Sequence, residues 1–420
     1  MTARAAPLQS DVLVLGGGVI GLACAYALLK QGRSVTVLEQ NTAGSGASHG
    51  NCGTLTPSLL PLPAPGVIRQ ALRWMVSADS PLLIRPSLNP QRLRWLLDFA
   101  ARCNARDFEQ ALRVKLPLLI AARALLEQWL RDENLDCEFS ASGHLNVYRD
   151  AQRFDLAQKN IPLTRSLGLV TEVLDGNQAR ALEPALNTSI IGALHNPGDA
   201  KLRPARYAAE LARVVRARGG LIAEQTAVTG FKVERGRVQA VITTQGEYRA
   251  RDLVFALGAW SPLLARQLGL RLPIQPGKGY SITYPPQHSA PRIPLVLKER
   301  SVCVTAWGSG YRLGSTMEFA GYDSRLNRRR LDALPRGAAE YLNPVLEAPV
   351  IEKWAGWRPM TPDDLPILGR APALDNLWLA TGHGMVGVTL SAITGQLIAE
   401  MLCGQTPSMD TDPLSPCRFR

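Results

Sequence analysis

The strongest constraint on the fold is a glycine-rich turn between a short apolar strand and a helix. Residues 12–15 form an aliphatic run typical of a buried parallel strand, and residues 19–31 are rich in Ala and Leu, as expected of a helix. Gly16-x-Gly18-x-x-Gly21 joins them. Gly16 permits the tight turn, Gly18 lets a pyrophosphate approach the backbone, and Gly21 allows close packing of the helix on the strand. This order predicts a Rossmann-like α/β domain that binds a dinucleotide.

An acidic residue completes this fingerprint. Residues 35–38 indicate a second buried strand, which ends at Glu39, close to the position where a ribose-binding carboxylate is expected. A glutamate in place of a basic residue argues against a 2′-phosphate. The alternative is a plain glycine turn followed by a surface glutamate, which the ordered series of strand, glycines, helix and acid disfavours. The fingerprint by itself fits both NAD and FAD.

The composition is that of a globular protein with two domains. The 420 residues exceed what one hydrophobic core usually serves. Apolar residues make up 46% of the chain and charged residues 20%, both typical of globular domains. The net charge of +12 comes without a dense basic tract, so we expect no nucleic-acid function and attribute the basic excess to a solvated surface.

The sequence gives no support to a metal site, a disulfide framework or a membrane span. The seven cysteines include no C-x-x-C pair, and the five histidines lack ligand spacing. Residues 1–10 lack the apolar core of a secretion signal. Residues 11–30 are apolar enough to suggest a span, but their glycines indicate a strand and a helix instead.

The pattern along the chain predicts a nucleotide domain assembled from separated pieces, with a second domain inserted between them. Helical periodicity covers residues 66–130 in three pieces. Short apolar runs predict strands at residues 144–148, 221–223, 227–233, 238–244, 253–256, 274–284, 302–307, 311–315 and 377–380. Further helices are predicted after residue 203, over residues 328–341 and from the last strand to residue 402.

Three further glycine-rich segments are candidates for cofactor contacts. The loop Ser45-Gly-Ala-Ser48-His49-Gly50-Asn51 is small and polar, and Ala256-Leu-Gly258-Ala-Trp260 ends a buried strand. Thr381-Gly-His-Gly-Met-Val-Gly387 joins the last strand to the closing helix, where free N–H groups favour developing negative charge. The alternatives are a flexible surface loop, a plain strand-to-helix turn and, for His383, a packed or capping imidazole.

Arg358 is the candidate for binding a carboxylate. It lies in Gly-Trp-Arg358-Pro-Met-Thr-Pro-Asp, and a guanidinium matches a carboxylate through a planar fork. The alternative is a structural ion pair with Asp363 or Asp364. Lys278, Tyr280 and Tyr284 alternate along a predicted strand and so share one face. Three positions are open for this face: it lines the pocket, it packs in the core, or it faces solvent.

Together these motifs resemble the D-amino acid oxidase-like superfamily of FAD-dependent oxidoreductases. Within it they are most similar to the small subunit of bacterial D-amino acid dehydrogenases. The resemblance covers the whole chain. It rests on the Gly16 fingerprint with Glu39, the Gly46-Ala-Ser48-x-x-Asn51 loop, Trp-x-Gly-x-Arg358-Pro-Met-Thr-Pro-Asp and Asn-Leu-Trp-Leu-x-Thr-Gly-His383-Gly.

The resemblance implies an α/β fold in which a Rossmann-like FAD-binding domain is interleaved with an α+β substrate domain on a mostly antiparallel sheet. The expected FAD-binding segments are residues 1–62, 189–271 and 352–420. The expected substrate-domain segments are residues 63–188 and 272–351.

The resemblance also assigns roles to residues. We expect FAD to bind non-covalently and no metal to be present. Arg358, Tyr280, Lys278 and His49 are the expected substrate-side residues. The expected cofactor contacts are Gly16, Gly18, Val19, Ile20, Gly21, Glu39, Gln40, Ser45, Ser48, His49, Gly50, Asn51, Val228, Ala256, Gly258, Trp260, Gly382, His383, Gly384, Met385, Val386, Gly387 and Thr389.

The implied reaction is oxidation of a D-amino acid to an imino acid by hydride transfer from the α-carbon to flavin N5, followed by hydrolysis to a 2-oxo acid and ammonia. Electrons are expected to pass to a quinone-type acceptor, and the protein to lie in the cytoplasm or peripherally on the inner face of the bacterial inner membrane. His49 and Gly50 depart from the small alanines of the subfamily, which points to a cyclic substrate such as D-proline or D-hydroxyproline.

Three alternatives stay open at this point. One is a glycine or sarcosine oxidase that uses oxygen. Another is an NAD-dependent dehydrogenase. The third is a flavin-binding subunit of a multi-chain dehydrogenase that has no activity of its own.

Overall fold

The computed structural model describes residues 9–75, 80–343 and 348–419. The first eight residues, where the sequence predicts no secretion signal, lie outside this range. Within it, no helix has both the length and the apolar character needed to cross a membrane.

The described residues form nineteen strands and eleven α-helices. The strands are β1 (Gln9–Leu15), β2 (Val35–Leu38), β3 (Thr54–Leu55), β4 (Leu82–Ile84), β5 (His144–Tyr148), β6 (Glu172–Asp175), β7 (Gly192–Asn196), β8 (Ala200–Lys201), β9 (Leu221–Ala223), β10 (Val228–Glu234), β11 (Arg237–Thr243), β12 (Gly246–Phe255), β13 (Gln275–Tyr284), β14 (Leu295–Leu297), β15 (Val302–Trp307), β16 (Gly310–Phe319), β17 (Glu352–Met360), β18 (Ile367–Arg370) and β19 (Leu377–Thr381). The helices are α1 (Val19–Lys30), α2 (Val67–Met75), α3 (Pro90–Ala101), α4 (Ala105–Asp132), α5 (Ala151–Gln158), α6 (Ile161–Ser166), α7 (Gly176–Leu182), α8 (Pro204–Ala217), α9 (Ser261–Ala265), α10 (Arg328–Ala339) and α11 (Gly387–Leu402).

The first sheet is the Rossmann-like one. Its parallel strands run in the order β9-β2-β1-β12-β19, and β18 adds to β19 in the antiparallel sense. β10 and β11 extend it through the first half of β12. Val12 to Leu15 are fully buried, as a parallel strand covered on both faces requires. The predicted α/β class is confirmed.

Two helices cover one face of this sheet and touch each other closely. α1 packs on α11, and α4 packs on α11 in turn. Gly395 makes the first contact close, because a Cβ there would lie 2.4 Å from the carbonyl oxygen of Ala23. Through this packing the N-terminal ends of α1 and α11 both reach the cavity described below.

The second sheet runs in the order β17-β13-β16-β15-β14-β5-β7-β6, with β4 also paired to β16. Most of its pairs are antiparallel, as predicted, whereas β14–β5 and β16–β4 are parallel. The sheet is therefore mixed. Its core is formed with α10, whose Leu331 and Leu334 are buried against it.

The strand that carries Arg358 was not predicted. β17 is an edge strand paired only to β13 within the described residues. Pro359 is tolerated there because an edge strand does not need every N–H for its ladder. Residues 352–360 lie in the second sheet, although the predicted boundary assigns them to the FAD-binding segments. The division of the chain into five segments stays a prediction.

Candidate active site

A cavity of about 530 Å³ lies where the first sheet meets β17 of the second. Loops and helix ends from separate parts of the chain form its walls. They are residues 16 and 18–20 of the glycine turn, the end of β2 at residues 38–41, residues 45–48 with Asn51, Thr226 and Val228, residues 256–260 with Leu263 and Leu264, residues 354–359, and residues 380, 383–385, 387 and 388.

The glycine turn closes one end of the cavity. Gly16 has a φ of 103°, and a Cβ there would lie 2.5 Å from the carbonyl oxygen of Ala256. A Cβ on Gly21 would lie 1.8 Å from the carbonyl oxygen of Gly16. No other residue type fits either position. The turn therefore keeps α1 directly against β1, as its role in a pyrophosphate site requires.

Glu39 is fixed beside this turn by backbone hydrogen bonds. The N–H of Gly17 donates to Oε2 at 2.7 Å, and the N–H of Asn41 donates to Oε1 at 2.9 Å. Each carboxylate oxygen keeps a second lone pair. The side chain is therefore held in place and can still accept hydrogen bonds from ribose hydroxyl groups.

The loop at residues 45–51 is tied to the start of α1. The N–H of Val19 donates to Oγ of Ser48 at 3.0 Å. Nδ2 of Asn51 donates to the carbonyl oxygens of Ala47 and Ser48, and its Oδ1 accepts from the N–H of Gly53. The amide of Asn51 thus organises the loop from within, and Ser48 fixes it to the helix.

The segment before α11 lines the other end of the cavity with backbone and small residues. Gly382 and Gly384 have φ of 76° and 52°, which favour glycine. The first N–H groups of a helix lack intrahelical acceptors, and Gly387 at the start of α11 lines the cavity. This end of the cavity therefore favours negative charge.

The side chain of His383 is held in place by a hydrogen bond within the protein. Its Nε2 lies 2.9 Å from Oγ1 of Thr394, and the residue is buried. Burial lowers its pKa to about 3, so the imidazole is neutral at ordinary pH. The geometry agrees with the capping or packing alternative for this side chain.

Arg358 faces the cavity without a carboxylate partner among the described residues. Asp363 pairs instead with Arg418 at 2.8 Å, and Asp364 pairs with Lys115 at 2.5 Å. Nη1 of Arg358 donates to the carbonyl oxygen of Thr316 at 3.0 Å. The ion pairs that would have explained Arg358 structurally are thus taken by other residues.

A thiol lies beside Arg358 that the sequence did not single out. Sγ of Cys52 occupies the place of a side chain on Gly314, 2.6 Å from the ideal Cβ position. A hydrogen bond from Cys303 and the positive charges of Arg312 and Arg358 hold the pKa of Cys52 below its ordinary value. The surroundings of the guanidinium are therefore polar on this side.

Aromatic residues also contribute to the walls of the cavity. Trp260, Trp354 and Trp357 all line it. Trp260 and Trp357 contact edge to face, with ring centroids 5.6 Å apart, and Nε1 of Trp357 donates to the carbonyl oxygen of Gly321 at 3.1 Å. The motif Trp-x-Gly-x-Arg358 contains Trp354 and Trp357, but neither was predicted as a site residue.

Lys278 and Tyr280 lie on the face of β13 that is turned away from the cavity. They do share one face as predicted, with Nζ of Lys278 5.1 Å from the centre of the Tyr280 ring. Tyr280 donates to the buried Glu318 at 2.7 Å, and Lys278 donates to the carbonyl oxygen of Arg325. Tyr284 packs with Tyr311 on the same side. The structure does not bring Lys278 or Tyr280 to the cavity.

His49 also points elsewhere. Its Nε2 lies 2.7 Å from Oε1 of Glu352, at the partly exposed end of β17. Neither His49 nor Gly50 lines the cavity. Gly50 instead contacts Trp354, which does.

Most of the predicted cofactor residues meet at the cavity. Those that line it are Gly16, Gly18, Val19, Ile20, Glu39, Gln40, Ser45, Ser48, Asn51, Val228, Ala256, Gly258, Trp260, His383, Gly384, Met385 and Gly387. Those that do not line it are Gly21, His49, Gly50, Gly382, Val386 and Thr389. The backbone cradle, the fixed carboxylate and the long cavity fit a dinucleotide with a flat ring system at the α11 end.

Comparison with known proteins is consistent with this geometry. The family model described as FAD dependent oxidoreductase matches residues 11–401. A D-amino acid dehydrogenase of Granulibacter bethesdensis is 34% identical over 97% of this chain and 99% of its own, and one of Agrobacterium fabrum is 33% identical over the same shares.

Solved structures share the fold. A glycine oxidase from Geobacillus kaustophilus has a TM-score of 0.80 at 25% identity and covers 97% of this chain and 98% of its own. An L-proline dehydrogenase from P. horikoshii has a TM-score of 0.76 at 21% identity, covering 99% and 98%. The second of these likenesses shows the fold alone.

Proposed function

The chain belongs to the FAD dependent oxidoreductase family, and from that premise we propose that it oxidises D-amino acids to 2-oxo acids and ammonia. One observation carries the choice of substrate. Arg358 faces the cavity and has no carboxylate partner among the described residues. The relatives named D-amino acid dehydrogenase, similar over nearly the whole chain, support the same class and supply the chirality.

Arg358 binds and orients the substrate. One of its nitrogens is already held by the carbonyl oxygen of Thr316, which fixes the plane of the guanidinium. The fork then receives a carboxylate with two charge-assisted hydrogen bonds. Such positioning supplies much of the rate in reactions of this kind. Bound FAD supplies the acceptor for the hydride that leaves the α-carbon.

The cavity favours a neutral amine. Among the described residues that line it, the one carboxylate is Glu39, whose oxygens are fixed beside the glycine turn at the opposite end. An ammonium ion near Arg358 would therefore lack a counter-ion. A neutral amine keeps its lone pair, which assists departure of the hydride without a protein base. The start of α11 stabilises the negative charge that develops at its end of the cavity.

The decisive experiment uses the purified holoenzyme without oxygen. Stepwise addition of D-amino acids is expected to bleach the visible absorbance of the flavin, while the L-enantiomers leave it unchanged. Bleaching by both enantiomers would contradict the proposed chirality. A flavin that no amino acid bleaches would contradict the proposed reaction and favour a flavin-binding subunit.

We further propose a compact cyclic substrate, such as D-proline or D-hydroxyproline. Support comes from Trp354, which shares one face of β17 with Arg358 and lines the cavity with it. An aromatic wall suits an apolar ring and offers no partner to a charged side chain. The measurement is kcat/KM for D-proline against D-alanine and D-lysine, and a preference for D-lysine would contradict the proposal.

We propose that a membrane quinone accepts the electrons and that the protein lies peripherally on the inner face of the membrane. Ile68 and Leu72 of α2 are 42% and 61% exposed, next to the exposed Arg69 and Arg73. Apolar and basic side chains on one short helix suit an anionic lipid surface. The check is cosedimentation with vesicles that contain phosphatidylglycerol, compared with the double variant Ile68→Ser, Leu72→Ser. Binding that is unaffected by these changes would exclude this helix.

A glycine or sarcosine oxidase is the second candidate, favoured by the similarity to glycine oxidase. It predicts rapid formation of hydrogen peroxide in air with glycine or sarcosine. The proposed dehydrogenase predicts slow peroxide formation and fast reduction of an added quinone.

A further inference from the structure

The indole of Trp354 lies across two glycines from different parts of the chain. A Cβ on Gly50 would lie 2.1 Å from Cδ2 of Trp354, and a Cβ on Gly356 would lie 2.1 Å from Cη2 at the outer edge of the ring. Neither glycine has a positive φ. Space for the indole, and not backbone conformation, therefore requires glycine at both positions.

Gly50 cannot retreat from the indole, because its loop is fixed to the second sheet. Oγ of Ser281 donates to the carbonyl oxygen of Gly50 at 2.8 Å. Nη1 of Arg312 donates to the carbonyl oxygens of His49 and Asn51, at 3.1 and 2.8 Å. A larger residue at position 50 must consequently displace Trp354 and not the loop.

Trp354 and Arg358 stand on the same face of β17, because alternate residues of a strand share a face. Gly356 lies between them, and Gly279 is its partner on β13. A Cβ on Gly279 would lie 2.2 Å from Nη1 of Arg358. Gly356 and Gly279 therefore leave room for the indole and the guanidinium to lie directly on the backbone of β17 and β13, and both Trp354 and Arg358 line the cavity.

We propose that Trp354 is the specificity-determining residue of this enzyme and that Gly50 sets its position. A substrate whose carboxylate binds Arg358 places its side chain against the indole of Trp354. The flat apolar face of Trp354 selects amino acids with a compact ring, such as a pyrrolidine, over linear or charged ones. This inference rests on the proposed function and names the substrate class of the same site.

The expected size of the effect follows from apolar contact. A change of a few apolar atoms in a substrate pocket alters discrimination by about 10- to 200-fold. Gly50→Ala, which displaces the indole, and Trp354→Leu, which removes it, are each expected to lower the ratio of kcat/KM for D-proline to that for D-alanine by about tenfold. Gly198→Ala is the matched control, because Gly198 lies in an exposed turn with nothing near its Cβ position.

A binding experiment tests the same point without turnover. Pyrrole-2-carboxylate and acetate are titrated into the holoenzymes, and each dissociation constant is read from the change in the flavin spectrum. Gly50→Ala and Trp354→Leu are expected to raise the dissociation constant of pyrrole-2-carboxylate about tenfold. The dissociation constant of acetate should change by less than about twofold, because acetate contacts only Arg358.

Three outcomes are decisive. Loss confined to the ring ligand supports the proposal. An equal loss of affinity for both ligands overturns it, because the indole would then only support the structure of the site. Unchanged affinity for both ligands also overturns it, because the indole would then not contribute to binding. If the unaltered enzyme oxidises no amino acid, the proposed function fails while the binding experiment still tests Trp354.

Discussion

The two ends of the cavity are built in different ways. At the dinucleotide end, Gly16, Gly21 and Glu39 come from one continuous β–α–β unit, and each is held by neighbours close in the sequence or by adjacent strands. At the substrate end, Arg358, Trp354 and Gly50 meet only because β17, β13 and a cofactor loop converge. The first end is a local motif, whereas the second depends on long-range packing.

The two ends also recognise their ligands through different groups. The dinucleotide end presents backbone N–H groups and one fixed carboxylate, which suit a constant cofactor. The substrate end presents the side chains of Arg358 and Trp354, which lie against Gly279 and Gly356. Substitutions at the first end should therefore change cofactor binding, and substitutions at the second should change substrate kinetics. The predictions below test this separation, from the largest expected effect to the smallest.

Gly21→Ala should abolish the holoenzyme. Its Cβ would lie 1.8 Å from the carbonyl oxygen of Gly16, so α1 must move away from β1 and the turn opens. We expect purified protein without flavin absorbance and with a Tm lowered by several degrees. Gly198→Ala serves as the control and should retain its flavin. Full flavin content in Gly21→Ala would show that the turn tolerates this displacement.

Arg358→Lys should leave FAD binding intact and lower kcat/KM about a hundredfold, the equivalent of about 2.8 kcal/mol. A lysine replaces the planar fork with a point charge and cannot bind the carboxylate bidentately. Steady-state kinetics and the flavin spectrum are measured together. Arg325→Lys is the matched control, since Arg325 is exposed. A simultaneous loss of flavin would contradict the separation of the two ends.

Glu39→Gln should weaken FAD binding about tenfold, or about 1.4 kcal/mol, without changing substrate preference. The two carboxylate oxygens accept from the N–H groups of Gly17 and Asn41, and an amide offers only one oxygen for them. Fluorescence titration of the apoprotein with FAD gives the dissociation constant, and Glu234→Gln at an exposed position is the control. A changed ratio of kcat/KM between two amino acids would mean that Glu39 also acts on the substrate end.

His383→Gln should have the smallest effect on activity. Burial lowers the pKa of His383 to about 3, so the side chain stays neutral and the profile of kcat/KM from about pH 5 to pH 9 should keep its shape. Stability should respond differently. A histidine with a depressed folded-state pKa stabilises the protein above its unfolded pKa of about 6.5, and this contribution is lost as pH falls toward 3.

Denaturant unfolding at several pH values tests the second part of this prediction. The free energy of unfolding of the unaltered protein should fall more steeply below about pH 6.5 than that of His383→Gln. If the kcat/KM profile of the unaltered enzyme shows a pH-dependent change near neutral pH and the variant lacks it, the imidazole would instead belong to the catalytic groups.

The sequence predicted the Rossmann-like elements well because their signals are local. Strand β1, the glycine turn, α1, β2 and Glu39 follow one another, and short aliphatic runs located β9, β12 and β19. The structure corrected the predicted site residues where the deciding contacts join residues far apart in the sequence. The alternation of Lys278 and Tyr280 was recognised, but only the pairing of β13 with β17 decides that Gly279 lies against Arg358 and that Ser281 binds Gly50.

By itself the sequence determined the dinucleotide end, the buried strands and the candidacy of Arg358, because each depends on residue types that a short segment requires. Tertiary structure alone decided that Asp363 and Asp364 pair elsewhere and that Trp354 lies on Gly50. The physical reason is that these contacts join residues far apart in the chain. Their partners depend on how the two sheets pack, which periodicity and motifs do not encode.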